Sequence, residues 1–193
     1  MSTVRSFVAL ELSPHIVESL LGSGEALRSA DVSWAHEKWV AETNLHVTLK
    51  FLGNVAKPDL TSLAAELATA LADLDRFELR LSGLKAVPSL SRCSMVWASF
   101  MDDANAHCAA LAGRVDETAA LLGGEPEARA FKPHVTLVRA RKPKRLTVEA
   151  LTCANASLGP LPISMSVPSA TLFASALTRQ GPVYERLAEL SLR

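Results

Sequence analysis

Apolar side chains recur along this chain in two rhythms, and each change of rhythm marks an element. Phe7-Val8-Ala9-Leu10-Glu11-Leu12 reads as a strand stopped by Ser13-Pro14. Proline is well tolerated just inside a helix start, so Ser13-Pro14 also opens a predicted helix to about Ser29, weakened in its middle by Gly22 and Gly24. Residues 32–45 keep neither rhythm, and Trp34 and Trp39 are expected to cap a core edge there. A strand is predicted from about Leu45 to Leu52, ending at Gly53-Asn54. Leu60, Leu63, Leu67, Leu71 and Leu74 then recur at helical spacing, which makes Pro58 to Leu74 the clearest amphipathic helix. Phe77, Leu79 and Leu81 alternate with Glu78, Arg80 and Ser82 as in a half-buried strand, and Met95 to Phe100 gives another. Asp102-Asp103 are placed to cap a helix carrying Leu111, Val115, Ala119 and Leu122, which Gly123-Gly124 end. After a strand following Phe131-Lys132-Pro133 come a short helix from about Arg145 to Leu151 and strands near Ile163 to Val167 and Ala170 to Ala174. A helix from Val183 to Leu190 closes the pattern.

Strands and helices thus recur through both halves with no linker or low-complexity segment between them. The pattern predicts an α+β fold, residues 1–193 forming one unit of two lobes. One tetrapeptide ties the halves together: His-Val-Thr-Leu occurs at His46 to Leu49 and again at His134 to Leu137. On ordinary residue frequencies a given His is followed by Val-Thr-Leu roughly once in a few thousand cases. Both copies lie in predicted strands. Side chains two apart on a strand share a face, so each strand presents an imidazole beside a hydroxyl and turns Val and Leu to the other side.

Composition narrows the function. Twenty Lys and Arg balance twenty Asp and Glu, which argues against non-specific grip on long polyanions and leaves room only for a small basic patch. Cys93, Cys108 and Cys153 are odd in number and lack a C-x-x-C pair, as suits free thiols in a reducing compartment. Residues 1–12 lack the long apolar region of a signal peptide, and no run approaches the roughly 18 apolar residues of a membrane helix. A soluble cytoplasmic protein with no membrane contact is expected.

Two histidines titrating near neutrality can act as one base and one acid, as a displacement at phosphorus requires. Each Thr hydroxyl can donate to a non-bridging phosphate oxygen, and Thr48 and Thr136 are candidates for that contact. No H-x-H, H-x-x-x-H or Cys pair lies near either histidine, so no metal or other cofactor is expected. No G-x-S-x-G elbow, P-loop or dinucleotide fingerprint is present, and Gly22-Ser23-Gly24 reads as a helix irregularity. His15, His36 and His107 lack a following Thr and read as surface residues, His36 being the strongest exception. Arg139, three residues after Thr136, projects to the opposite face of a regular strand; only a bulge or the strand end turns it to the cleft.

His46-Val47-Thr48-Leu49-Lys50-Phe51-Leu52-Gly53 and Phe131-Lys132-Pro133-His134-Val135-Thr136-Leu137-Val138-Arg139 resemble the twin signatures of the two-histidine (2H) phosphoesterase superfamily. Within it the chain is most similar to the RNA 2′,3′-cyclic phosphodiesterases, also called 2′-5′ RNA ligases. Residues 5–10, Met95-Val96-Trp97-Ala98, and Ser175 with Gly181 and Tyr184 resemble further stretches of that branch. The resemblance implies two pseudo-symmetric lobes whose antiparallel sheets flank a central cleft, with helices outside. It implies metal-independent opening of an RNA-terminal 2′,3′-cyclic phosphate to a 2′-phosphate, with 2′-5′ ligation as the reverse activity. His46 and His134 are then the acid–base pair, His134 activating water and His46 protonating the 3′ oxygen. Thr48 and Thr136 bind the phosphate, and Arg139 helps neutralise it. Phe51 and Phe131 match the signatures as well, and both are expected in the core. The partner implied is RNA with a cyclic-phosphate end, or a short oligonucleotide, handled by a monomer. Two other readings use the same cleft: a non-catalytic RNA-end or nucleotide-binding module, and a phosphodiesterase for another cyclic phosphate.

Overall fold

The computed structural model describes residues 2–103, 106–179 and 181–193. Its strands form two antiparallel sheets. The first comprises β1 (Thr3–Glu11), β3 (His46–Ala56), β8 (Ser169–Thr178) and β9 (Gly181–Ser191), in the order β3-β1-β8-β9. The second comprises β2 (Lys38–Trp39), β4 (Phe77–Val87), β5 (Cys93–Met101), β6 (His134–Lys144) and β7 (Ile163–Val167), in the order β2-β6-β5-β4-β7. The expected α+β architecture of two sheet lobes is therefore present. The sheets are not the two halves of the sequence, however: β2 crosses to the second sheet, and β8 and β9 return to the first.

Local chemistry accounts for most elements. Phe7, Val8, Ala9 and Leu10 are all buried, as fits a strand flanked by neighbours and covered on both faces. α1 (Pro14–Ala30) runs unbroken through Gly22 and Gly24. Gly24 is needed there for packing, because a Cβ would stand 3.1 Å from the Trp39 ring. α2 (Leu60–Leu71) buries Leu63, Leu67 and Leu71. α3 (His107–Leu121) is capped by Asp102, whose carboxylate accepts from the amides of Cys108 (2.9 Å) and Ala109 (2.8 Å). α4 (Val148–Ala156) starts later than expected, where the Thr147 hydroxyl accepts from Ala150 N. One apolar cluster joins side chains of both sheets and all these helices, with Trp34 wholly inside it rather than at an edge.

Residues 183–190 are strand, not helix. Their apolar spacing fits a helical stripe, but β8 offers an unpaired edge, and β9 pairs with it from Thr178↔Gly181 to Ser169↔Ser191. Long-range backbone pairing outweighs local periodicity there.

The feature that shapes the cleft is a bulge common to both motif strands. In β3, Thr48 pairs with Ala9 and Lys50 with Val8, leaving Leu49 as the extra residue. In β6, Thr136 pairs with Trp97 and Val138 with Val96, leaving Leu137 extra. Each bulge turns two successive residues inward, so Leu49 and Lys50 are buried, as are Leu137 and Val138. The next residues, Phe51 and Arg139, come back to the face of the histidines.

Lys50 thus enters the core, where Nζ meets Asp116 of α3 (2.5 Å) and donates to Glu125 O (2.7 Å). Asp116 in turn accepts from Glu127 N (3.0 Å). Lys50 holds the Asp116 carboxyl below the usual carboxylate range, with the Glu127 amide assisting. The pair therefore stabilises the fold above the ordinary aspartate value near 4, and its contribution is lost as pH falls through the lowered folded value. Lys50→Met should cost roughly 1–3 kcal/mol, a low figure for a buried pair because Asp116 keeps some contact with water. Denaturant unfolding at pH 7 and pH 3 checks this: the deficit should shrink at pH 3.

Candidate active site

His46 and His134 open β3 and β6, two strands of different sheets that contact each other, and the charge of His134 is felt at His46. Each imidazole is held in the same way. His46 Nδ1 lies 2.8 Å from Asn44 O, and His134 Nδ1 lies 2.8 Å from Lys132 O, a carbonyl two residues upstream in each case. A carbonyl only accepts, so Nδ1 carries the proton and donates it. In each ring Nε2 is then the unprotonated nitrogen, available to take up a proton.

Burial pushes both imidazoles below the ordinary value near 6.5, and the carbonyl contacts partly oppose it. The remaining causes differ. At His46 it is the charge of His134, at His134 the charge of Arg139. Those couplings put the two histidines and Arg139 in one electrostatic neighbourhood. The bulge at Leu137 is what brings Arg139 there, opposite Met95 and on the face of Thr136. The regular-strand expectation of an outward Arg139 does not hold.

The two halves are alike in backbone and unlike in surroundings. His46 Nε2 is bonded to the Thr48 hydroxyl at 2.9 Å, with Phe7 (ring centroids 5.0 Å) and the edge of Tyr184 (5.4 Å) around the ring. His134 instead lies flat on Trp97, centroids 3.8 Å apart and planes 24° from parallel. The Trp97 Nε1–H is enclosed and lacks a partner among the described residues, leaving the stack to fix that ring. Thr136 is half-buried beside Trp97.

Phe51 departs from expectation. It is 63% exposed, 6.0 Å from Phe7, at the place in β3 that Arg139 occupies in β6. The bulge at Leu49 takes it out of the core. Phe131 is half-buried against the core cluster, as expected. Of the other histidines, His15 and His36 are exposed, while His107 is half-buried, paired with Asp103 (2.6 Å) and stacked on Phe77. Arg92 stays on an exposed turn. Two neighbours of the site were not singled out as site residues from sequence. Trp97 and Tyr184 stand out in the sequence only as parts of stretches that resemble the family, and neither is given a place beside a histidine there. Burial pushes the Tyr184 hydroxyl up, against the charges of Arg5 and Arg139, so cations of both sheets reach it. Among the described residues no group of three or more His, Cys, Asp or Glu is placed to hold a metal ion.

A family model described as the 2′-5′ RNA ligase superfamily matches residues 18–177. An RNA 2′,3′-cyclic phosphodiesterase of Aeropyrum pernix is 35% identical over 156 residues, covering 79% of this chain and 85% of the relative. Another, of Methanothermobacter thermautotrophicus, is 29% identical and covers 94% and 95%. The crystal structure of E. coli LigT complexed with 3′-AMP is similar at a TM-score of 0.74 and 28% identity, each chain covered to 99%. Fold and paired His-x-Thr strands define a two-histidine phosphoesterase. The chain belongs to the 2′-5′ RNA ligase superfamily.

The electrostatics give a measurable order. In NMR titrations of the free protein, His46 and His134 should protonate below about 6.5, and His107, raised mainly by its bond to Asp103, above it. Because burial disfavours the charged forms of His46 and His134, stability should fall as pH drops below about 6.5. A midpoint above 6.5 at either ring would contradict this account of the site.

Proposed function

We propose that this chain is a metal-independent RNA 2′,3′-cyclic phosphodiesterase, with His46 and His134 as its acid–base pair. The observation that carries the reading is the matched setting of the two imidazoles, each with Nδ1 fixed on a carbonyl and each followed by Thr on one face. Relatives named for this activity support the substrate class.

His134 takes a proton from water through Nε2 as the oxygen attacks phosphorus. The bond from phosphorus to the 3′ oxygen breaks in line, and His46 Nε2–H gives that oxygen its proton, leaving a 2′-phosphate. The charge of Arg139 disfavours an imidazolium at His134, which supports giving His134 the base role. Once His134 is neutral its repulsion of a charged His46 is gone, so one proton shared by the pair rests on the acid. Thr48 and Thr136 donate to the non-bridging oxygens, and Arg139 offsets the charge that builds in the transition state. A 5′-hydroxyl replacing water would give a 2′–5′ linkage through the same two groups. Phe51, exposed beside Phe7, is a stacking surface for the terminal base.

Both histidines belong to one chain, which supports action as a monomer. Cys93, Cys108 and Cys153 are free thiols, which supports the cytoplasm as the compartment. No helix among the described residues is long and apolar enough to cross a membrane. Residues 1–193 are proposed as a single bilobal catalytic unit.

With 2′,3′-cyclic AMP in EDTA, the protein should yield the 2′-phosphate, and His46→Ala and His134→Ala should each cost about 10²–10⁴-fold in kcat. Binding without turnover by the unmodified protein would favour a nucleotide-binding module instead. Phe51→Ala should act on KM, raising it about 5- to 150-fold for a loss of about 1–3 kcal/mol of stacking, with kcat little changed. Steady-state kinetics on the four proteins separates these effects.

A further inference from the structure

The cleft face of the second sheet carries a cation that the hydrolytic step does not use. Lys85 of β4 pairs with Trp97 of β5, and Trp97 pairs with Thr136 of β6. Residues directly opposite on antiparallel strands share a face, so Lys85, Trp97 and Thr136 form a line across the cleft floor. Two strand spacings put the Lys85 backbone roughly 10 Å from that of Thr136. Its flexible stem shortens the reach. Lys85 is exposed and has no hydrogen-bond or ion-pair partner among the described residues. Lys144 by contrast is paired with Glu37 (2.8 Å) and Lys50 with Asp116. In a chain of zero net charge, an unpaired lysine inside the cleft stands out from the solvated surface.

The far side of the same floor is already basic. Lys38 of β2 pairs with Arg139, so those two cations flank Thr136 away from Lys85. Positive charge therefore continues past the reacting phosphate on the β4 side, across an apolar ledge made by Trp97. A free cyclic nucleotide has no second phosphate to meet it. An RNA chain ending in a cyclic phosphate does, on the 5′ side of its last nucleoside.

We propose that Lys85 and Trp97 form a subsite for the sugar and phosphate immediately 5′ of the cyclised nucleotide, which makes an oligoribonucleotide end the preferred substrate class. This rests on the cyclic-phosphodiesterase reading above. Lys85 binds the upstream phosphate as a point charge, while the half-buried Trp97 ring supports the sugar between the two phosphates. Lys85 touches no reacting atom.

The test compares 2′,3′-cyclic AMP with an adenosine trinucleotide ending in a 2′,3′-cyclic phosphate, using the intact protein, Lys85→Gln and Lys85→Arg. The intact protein should show the higher kcat/KM on the trinucleotide. Lys85→Gln should lose about 5- to 20-fold on the trinucleotide, mainly through KM. It should leave cyclic AMP hydrolysis unchanged, which also reports that the variant is folded. Lys85→Arg should keep most of the trinucleotide preference. The slope of log(1/KM) for the trinucleotide against log salt should flatten by roughly 0.7 in Lys85→Gln, as for one lost contact to a single strand. Equal losses on both substrates, or no loss on the trinucleotide, would overturn the subsite while leaving the hydrolytic reading intact. Failure of the intact protein to open either substrate would instead remove the reading on which the subsite rests.

Discussion

A β-strand offers the same face only at every second residue, and the whole cleft depends on how the two motif strands escape that constraint. The histidine and threonine of each motif obey the alternation. The next cleft residue could not, because it lies three positions beyond the threonine. One extra residue, Leu49 in β3 and Leu137 in β6, resets the phase. It buries two consecutive side chains and returns the following one to the cleft. Without it Arg139 would point away from the histidines, and Lys50 would leave its carboxylate in α3. The spacing of the cleft residues and the core packing are thus set by the same two backbone irregularities.

Because the bulge is shared, the halves can differ in side chains without differing in shape. At the reset position one strand carries Phe51 and the other Arg139. At the inward position one carries Lys50 and the other Val138. One imidazole feels the charge of Arg139 and the other that of its partner histidine. The proposed division into base and acid rests on that difference in neighbours, not on the backbone, which the two strands share.

Much of this was legible in the sequence. Alternation and helical spacing located β1, β4, β7, α1 and α2 to within a few residues, and the repeated His-Val-Thr-Leu marked the histidines. What stayed hidden was set by partners distant in the chain. β9 has a helical stripe, and only the free edge of β8 makes it a strand. The place of Tyr184 against His46 follows from that pairing and not from its resemblance to a family stretch. Phe51 reads as core in any regular strand, and the bulge that exposes it depends on pairing with β1. Lys85 looks like an ordinary solvated lysine until the register of β4, β5 and β6 sets it in line with Thr136.

The order of strands in the first sheet has a consequence for how the protein is made. β1 precedes its neighbour β8, which begins only at Ser169, so Arg5 must find Ser175 at long sequence separation. Until then the edge of β1 that β8 covers has no strand to pair with. The ring of Tyr184 joins His46 later still, with β9. The nascent chain therefore carries His46 without the Tyr184 edge beside it until β9 is made. Closing that sheet depends on contacts of long sequence separation, whose loop-closure cost comes before the pairing is gained.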